Sequence, residues 1–432
     1  MRPRAEASFL RRRREPAGRS RLLFTHVPLP VLIPVALARV LVLLACVLAL
    51  WEPARAAGAV PDAGAPSDGK PQAVAVPPPG ADVDPVKFRA SLPGTDVTDA
   101  YDALYEAAEG ERFPPQRRAR LKRYQAILVP GWLTHLYLRI GHFLEGALDK
   151  EGVLNYLEDE QQALSELGLP AEQPLMDRKQ FNTQQTIAVN AQRIVRAVLD
   201  AAAKGRQVIL ISHSKGGNDV LAALLQLQRA GKLRHVAGWI SIQSVFLGSP
   251  VADVIMESAA LHKAADVFLS PIGGTVDSIR DISSAECARF LAENKRDIAR
   301  LSHSLPIVSF ASWKPRPKDF RLTSPDSILA TTRDLMAGKG LLSDGLVPAK
   351  NAVLADTAFV AKLGLDHSET AMQNQPPVLP SRLDRKRFTQ ALLALLLERI
   401  DKRAAPQKPR AAPQKPATDR RTGRPAAAPA VH

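Results

Sequence analysis

Between about residues 115 and 400, short unbroken apolar runs alternate with segments whose apolar residues recur every three to four positions. Tyr124 to Val129 (YQAILV) has the length of a strand and stops at Pro130-Gly131. Thr183 to Lys204 sets Ile187, Ala191, Ile194, Val195 and Val198 on one face, the spacing of an amphipathic helix, and ends before Gly205. Gln207 to Ser212 (QVILIS) reads as a second strand, Gly216 to Ala230 as a helix, Val236 to Ile242 (VAGWISI) as a third strand and Pro306 to Ala311 (PIVSFA) as a fourth. Strands that alternate with helices build a mostly parallel sheet covered by helices on both faces. The fold class expected is therefore α/β.

The pattern breaks down toward both ends. Arg11 to Arg14 form a basic stretch, and Leu29 to Trp51 is apolar apart from Arg39. Its cleanest segment, Val40 to Leu50, has the length of a signal-peptide core rather than of a membrane span, and Ala54-Arg55-Ala56 suits signal peptidase. Residues 1–56 thus read as a basic N-terminus followed by a signal peptide, or by a signal anchor if left uncleaved. The chain is expected to be exported: periplasmic, secreted, or held at the membrane by that segment. Residues 57–114 form an Ala/Pro/Gly-rich linker and lead-in, whose first part, to residue 94, cannot bury enough apolar surface to fold. The body is expected over 115–401. In residues 402–432 the unit Arg-Ala-Ala-Pro-Gln-Lys-Pro occurs twice, at 403–409 and 410–416, a disordered basic tail.

Composition narrows the function. Of 432 residues 46% are hydrophobic and 23% charged, too apolar for a disordered chain. The net charge of +15 suggests an anionic partner until it is located. Residues 1–21 carry +6 and residues 402–432 carry +7, which leaves the rest nearly neutral. A nucleic-acid-reading face on the body is not expected, and only 5% aromatic residues argue against a base-stacking platform. Contact with an anionic membrane surface is confined to the N-terminus and the tail. Cys46 lies in the apolar run and Cys287 stands alone in the body, the pattern of a buried thiol.

The chemistry sits in the turn after the second strand, Ser212-His213-Ser214-Lys215-Gly216-Gly217. A strand feeding a helix through small-x-Ser-x-Gly is a nucleophile elbow, which lifts the Ser214 hydroxyl above the sheet edge. A serine hydroxyl is scarcely ionised at neutral pH and needs a base and an orienting acid. In this elbow fold the acid and then the histidine follow the serine along the chain. Asp344, in Ser343-Asp344-Gly345-Leu346-Val347-Pro348, and His367, in Asp366-His367, meet that order; Asp366 is the next-best acid. His303 precedes the aspartate, the wrong order for the base, and His213 is expected to pack beside the elbow. Oxyanion donors are expected from the backbone N–H groups of Lys215, just after the nucleophile, and Trp132, in the turn after the first strand.

With Val129-Pro130-Gly131-Trp132 and Gly248-Ser249-Pro250-Val251-Ala252-Asp253 added, the sequence resembles the α/β-hydrolase superfamily over about residues 120–370, and within it the bacterial triacylglycerol lipases. The resemblance implies a helical cap or lid over 251–303, where Val254, Ile255, Ala259, Leu261, Val267 and Phe268 stand at helical spacing. It implies no cofactor. Some of these lipases hold a structural calcium near the histidine loop, but no ligand set for it is assignable in this sequence, and no metal is expected. The expected activity is hydrolysis of a carboxylic ester or lipid by acyl-enzyme chemistry. The alternatives are an acyltransferase or thioesterase on the same triad, and a non-catalytic envelope protein that keeps the fold for binding.

Overall fold

The computed structural model describes residues 83–132, 134, 156–173, 182–270, 273–315, 327–372 and 383–404. The expected signal segment, residues 57–82 of the linker and most of the basic tail lie outside the described residues.

Among the described residues seven parallel strands form one sheet: β1 (Gly94–Asp96), β2 (Tyr124–Val129), β3 (Ala171–Glu172), β4 (Gln207–His213), β5 (Val236–Ile242), β6 (Ile307–Trp313) and β7 (Thr357–Leu363). Their order across the sheet is β1-β7-β6-β5-β4-β2-β3. Successive residues of a strand point to opposite faces, and here both faces are buried. Ala126, Leu128, Ile209, Ile211, Ile240, Ile242, Val308 and Phe310 face one apolar cluster, which a long helix covers with Phe388 and Leu392 to Leu397. Ile127, Val129, Val208, Leu210, Trp239 and Ile307 face the other, covered by the helices that flank β4. This is why the central strands read as continuous apolar runs.

The helices that matter for the site are α1 (Thr98–Glu106), α2 (Glu158–Glu166), α3 (Ile187–Ala203), α4 (Lys215–Arg229), α5 (Pro250–Glu257), α6 (Ala259–Leu269), α7 (Asp277–Arg280), α8 (Ser284–Glu293), α9 (Lys295–Ser304), α10 (Ser327–Gly338) and α11 (Arg385–Ala404). Helix α3 starts a few residues later than its apolar spacing suggests, because the Thr186 hydroxyl caps it by accepting from Val189 N.

Three expectations change. The lead-in before residue 115 is not all linker: from Pro85 on it is built into the body. β1 pairs with β7 and forms that edge of the sheet, and Tyr101 and Phe113 are buried in the sheet core. The segment 251–303 divides in two. Helices α5, α6 and α7 close a small core of their own from Ala252, Ile255, Leu261, Ala265, Phe268, Leu269 and Ile279, packed against Trp132. Ile298 and Leu301 of α9 instead join the layer under α4, so α9 is a sheet-flanking helix outside that small core. At the C-terminus, α11 continues to Ala404, a few residues into the expected tail.

Candidate active site

At the end of β4 the chain turns sharply at Ser214, with φ 56° and ψ −135°, and enters α4 at the next residue. A positive φ is costly for a residue with a Cβ and persists only where surrounding contacts enforce it. Here Ser214 N donates to Ile242 O (3.0 Å) and Gly217 N donates to Ser214 O (2.9 Å). The two glycines that follow are demanded by close approach: a Cβ on Gly216 would stand 2.6 Å from the carbonyl oxygens of Val129 and Pro130, and one on Gly217 would overlap the Ser244 side chain. A strained serine between a central parallel strand and its helix, in this strand order, decides the architecture. This is the α/β-hydrolase fold.

In that fold, groups at the C-terminal ends of neighbouring parallel strands converge. Asp344 lies in a tight turn between β6 and β7, where its Oδ1 accepts from Leu346 N (2.9 Å) and Val347 N (2.8 Å). Its Oδ2 lies 2.8 Å from His367 Nδ1, and His367 N donates to Asp344 O (2.9 Å). Both side chains are buried. The carboxylate is an acceptor, so it fixes the imidazole proton on Nδ1 and leaves Nε2 with a lone pair. Asp366, the competing acid, is occupied elsewhere: its Oδ1 accepts from Ser368 N, Ser368 Oγ and Glu369 N, and its Oδ2 faces Lys314 Nζ. His303 is exposed near the end of α9. Ser214 Oγ and His367 Nε2 make no hydrogen bond among the described residues. The two loops are tied through His213, whose Nε2 lies 3.1 Å from His367 O.

The turn after β2 abuts the serine: a Cβ added to Gly131 would lie 2.8 Å from Ser214 Cβ. Gly131 N donates to Tyr156 Oη (3.1 Å), whereas the N–H groups of Trp132 and Lys215 have no partner among the described residues. Trp132 is tied to α7 through its indole Nε1, which donates to Ser278 Oγ (3.0 Å). The Lys215 side chain turns away from the site into a buried ion pair with Asp219 Oδ1 (2.8 Å). Asn190 Nδ2 donates to the other carboxylate oxygen (3.0 Å). Burial pushes the Asp219 carboxyl up to about 6, against the pull of Lys215.

Cys287 is a buried structural thiol that donates to Val245 O (3.3 Å), and burial pushes it up to about 12, far from a thiolate. Near the histidine loop the carboxylates of Asp366 and Glu369 are both paired with Lys314 Nζ, at 3.4 and 3.0 Å. A carboxylate pair already neutralised by an ammonium does not fit a calcium site. Among the described residues no cluster of three or more His, Cys, Asp or Glu could hold a metal ion.

Two polar residues beside the site escape the sequence reading. Gln243, buried at φ 47°, follows the last residue of β5. A polar residue at the C-terminal end of a strand next to the elbow was its available signal. Tyr156 enters the site from just before α2, and nothing in its local pattern marks it.

The family model described as lecithin:cholesterol acyltransferase matches residues 192–274, which hold most of α3, then β4, the elbow, α4, β5, α5 and α6. No curated protein matches the chain. Among solved structures, a metagenomic carboxyl esterase is 22% identical with a TM-score of 0.49, covering 65% of this chain and 76% of its own. A Bacillus licheniformis lipase in its mature form is 19% identical, TM-score 0.41, over 57% of this chain and 85% of its own. A soluble variant of the Saccharomyces cerevisiae monoglyceride lipase is 14% identical, TM-score 0.32, over 65% and 87%.

Proposed function

We propose that this chain is a serine hydrolase of carboxylic esters, lipase- or esterase-like, that works through Ser214, His367 and Asp344. The observation that supports it most is the buried Asp344–His367 pair held at the strand ends where the strained Ser214 stands. Ser214 Oγ adds to the ester carbonyl carbon while His367 Nε2 takes its proton, and the resulting oxyanion is bound by the backbone N–H groups of Trp132 and Lys215. Collapse expels the alcohol, which leaves with the proton from His367 and gives an acyl-Ser214 ester. Water, deprotonated by His367, then adds to that ester and releases the acid and the serine. Throughout, Asp344 holds the imidazole in one tautomer and stabilises its charged form.

A second reading rests on the match of residues 192–274 to the lecithin:cholesterol acyltransferase family: the acyl group passes to an alcohol, such as a sterol hydroxyl, rather than to water. A p-nitrophenyl ester series of rising chain length, run with and without an added long-chain alcohol, tests both. Release of free acid supports hydrolysis; a new ester formed at the expense of acid supports transfer; no turnover of any ester in folded protein contradicts both. We further infer export, from Val40 to Leu50 and Ala54-Arg55-Ala56, and contact with lipid surfaces through the basic ends. N-terminal sequencing of protein recovered outside the cytoplasm tests export: a start at residue 57 supports cleavage, and retention of the whole protein in the cytoplasm contradicts export.

A further inference from the structure

We propose that His213, braced by Tyr156 and Gln243, is a positioning residue that locks the oxyanion turn to the histidine loop. This inference rests on the hydrolase reading above. It starts from a polar cluster deep beside the elbow: His213 is 2% exposed and Gln243 is fully buried.

The chemistry of the cluster fixes the proton on the imidazole and the orientation of the amide. His367 O is only an acceptor, so His213 Nε2, 3.1 Å away, must be a donor, and the same N–H reaches Gln243 Oε1 at 3.1 Å. In the neutral ring Nδ1 is then a lone pair and accepts from the Tyr156 hydroxyl. The Tyr156 oxygen in turn accepts from Gly131 N, in the turn that carries the Trp132 donor. The Gln243 amide has one orientation, because its Nε2 faces another pure acceptor, Asp366 O, at 3.1 Å. That nitrogen also donates to Ser312 Oγ (2.6 Å), while Oε1 accepts from the Thr370 hydroxyl. Gln243 N itself is held by Phe310 O (2.7 Å), with its backbone at a positive φ that a side chain makes costly.

The result is one directed chain: Gly131 N–H to Tyr156, Tyr156 to His213, His213 to the carbonyl of His367, with Gln243 gripping both the imidazole and the residue before His367. It spans from the residue before the Trp132 donor to the residue that carries the base. Burial and the neighbouring His367 ring hold His213 well below the ordinary histidine range, which keeps it neutral and keeps Nδ1 free to accept. His213 touches no reacting atom in this scheme. It acts through the two loops it joins.

The test uses the full chain with nitrogen-labelled histidine, the single substitution Tyr156→Phe, and a fluorophosphonate probe. In the unsubstituted protein the His213 ring should show an unprotonated Nδ1 and a protonated Nε2 from about pH 5.5 to 8.5. A protonated Nδ1, or titration inside that range, overturns the brace without any variant having to fold. In Tyr156→Phe, kcat and the fluorophosphonate reaction rate should each fall about 10- to 100-fold, the scale of a displaced catalytic loop. KM should stay within about twofold, because Tyr156 acts in this scheme through the two loops and not on the ester itself. Unchanged kcat in a folded Tyr156→Phe protein also overturns it. Failure of the hydrolase reading is distinguishable: then the unsubstituted protein does not react with the probe at all, and the positioning role falls with it.

Discussion

Replacing Asp344 by Asn changes one atom and should nearly abolish turnover without unfolding the protein. The Asp344 carboxylate has two distinct tasks, since Oδ1 accepts two backbone N–H groups and Oδ2 accepts the His367 Nδ1 proton. An asparagine must keep its carbonyl oxygen toward Leu346 N and Val347 N. Turning the amide over would leave two buried donors facing an NH2, at a cost of about 1–3 kcal/mol each. The NH2 group therefore faces His367 Nδ1 and donates to it. That drives the ring proton to Nε2, where it blocks acceptance of the Ser214 proton. A tautomer error of this kind lowers turnover by about 10⁴ in serine triads, equivalent to roughly 5 kcal/mol of transition-state stabilisation. The assay is kcat on a short p-nitrophenyl ester beside the thermal midpoint by circular dichroism. Asp366→Asn serves as the control, since its carboxylate caps the loop and pairs with Lys314. Turnover within tenfold of the parent in Asp344→Asn, or a larger loss in Asp366→Asn than in Asp344→Asn, refutes the assignment.

Other substitutions test separate parts of the structure. Glu160 of α2 is buried with neither carboxyl oxygen hydrogen bonded among the described residues, and burial raises it from 4.5 to about 8 against the pull of Arg385. The folded chain therefore keeps a proton that the unfolded chain loses, so stability is greatest below about pH 4.5 for this group and falls as pH rises toward 8. Glu160→Gln should remove a decline on the order of a few kcal/mol across that window, read by urea unfolding at several pH values; parallel curves for both proteins contradict it. Lys215→Met strands the buried Asp219 carboxylate and should cost about 3–5 kcal/mol of stability, a loss below about 1 kcal/mol being the contrary result. Gly131→Ala would place a methyl 2.8 Å from both Ser214 Cβ and the Tyr156 hydroxyl oxygen, and kcat should fall at least about 100-fold if it shifts the oxyanion turn; kcat near the parent value would show that the turn can yield.

The parts of this site that the sequence makes legible are those whose chemistry is local. Ser214 announces itself because an apolar strand, a small-x-Ser-x-Gly turn and a helix follow in immediate succession. Asp344 and His367 are expected from order and turn context; in the structure His367 Nδ1 lies against Asp344, while the adjacent Asp366 side chain diverges to cap its own loop. The four central strands stand out because both their faces are buried. By contrast β1 and β3, of three and two residues, are too short to carry a period. The apolar stripes of α6 and α9 look alike in sequence, yet one packs into the small core of α5 to α7 and the other under the sheet; only tertiary contacts separate them. The Tyr156–His213–Gln243 cluster is invisible for the same reason, since its partners lie 30 to 154 residues apart along the chain.

The central claim is that Ser214 is an activated nucleophile. The most direct measurement is fluorophosphonate labelling of the purified protein beside Ser214→Ala, with the modified peptide identified by mass spectrometry. One adduct per chain is expected, on Ser214, and none in the variant. A folded protein that stays unlabelled, or one in which Ser214→Ala labels as well as the parent, contradicts it.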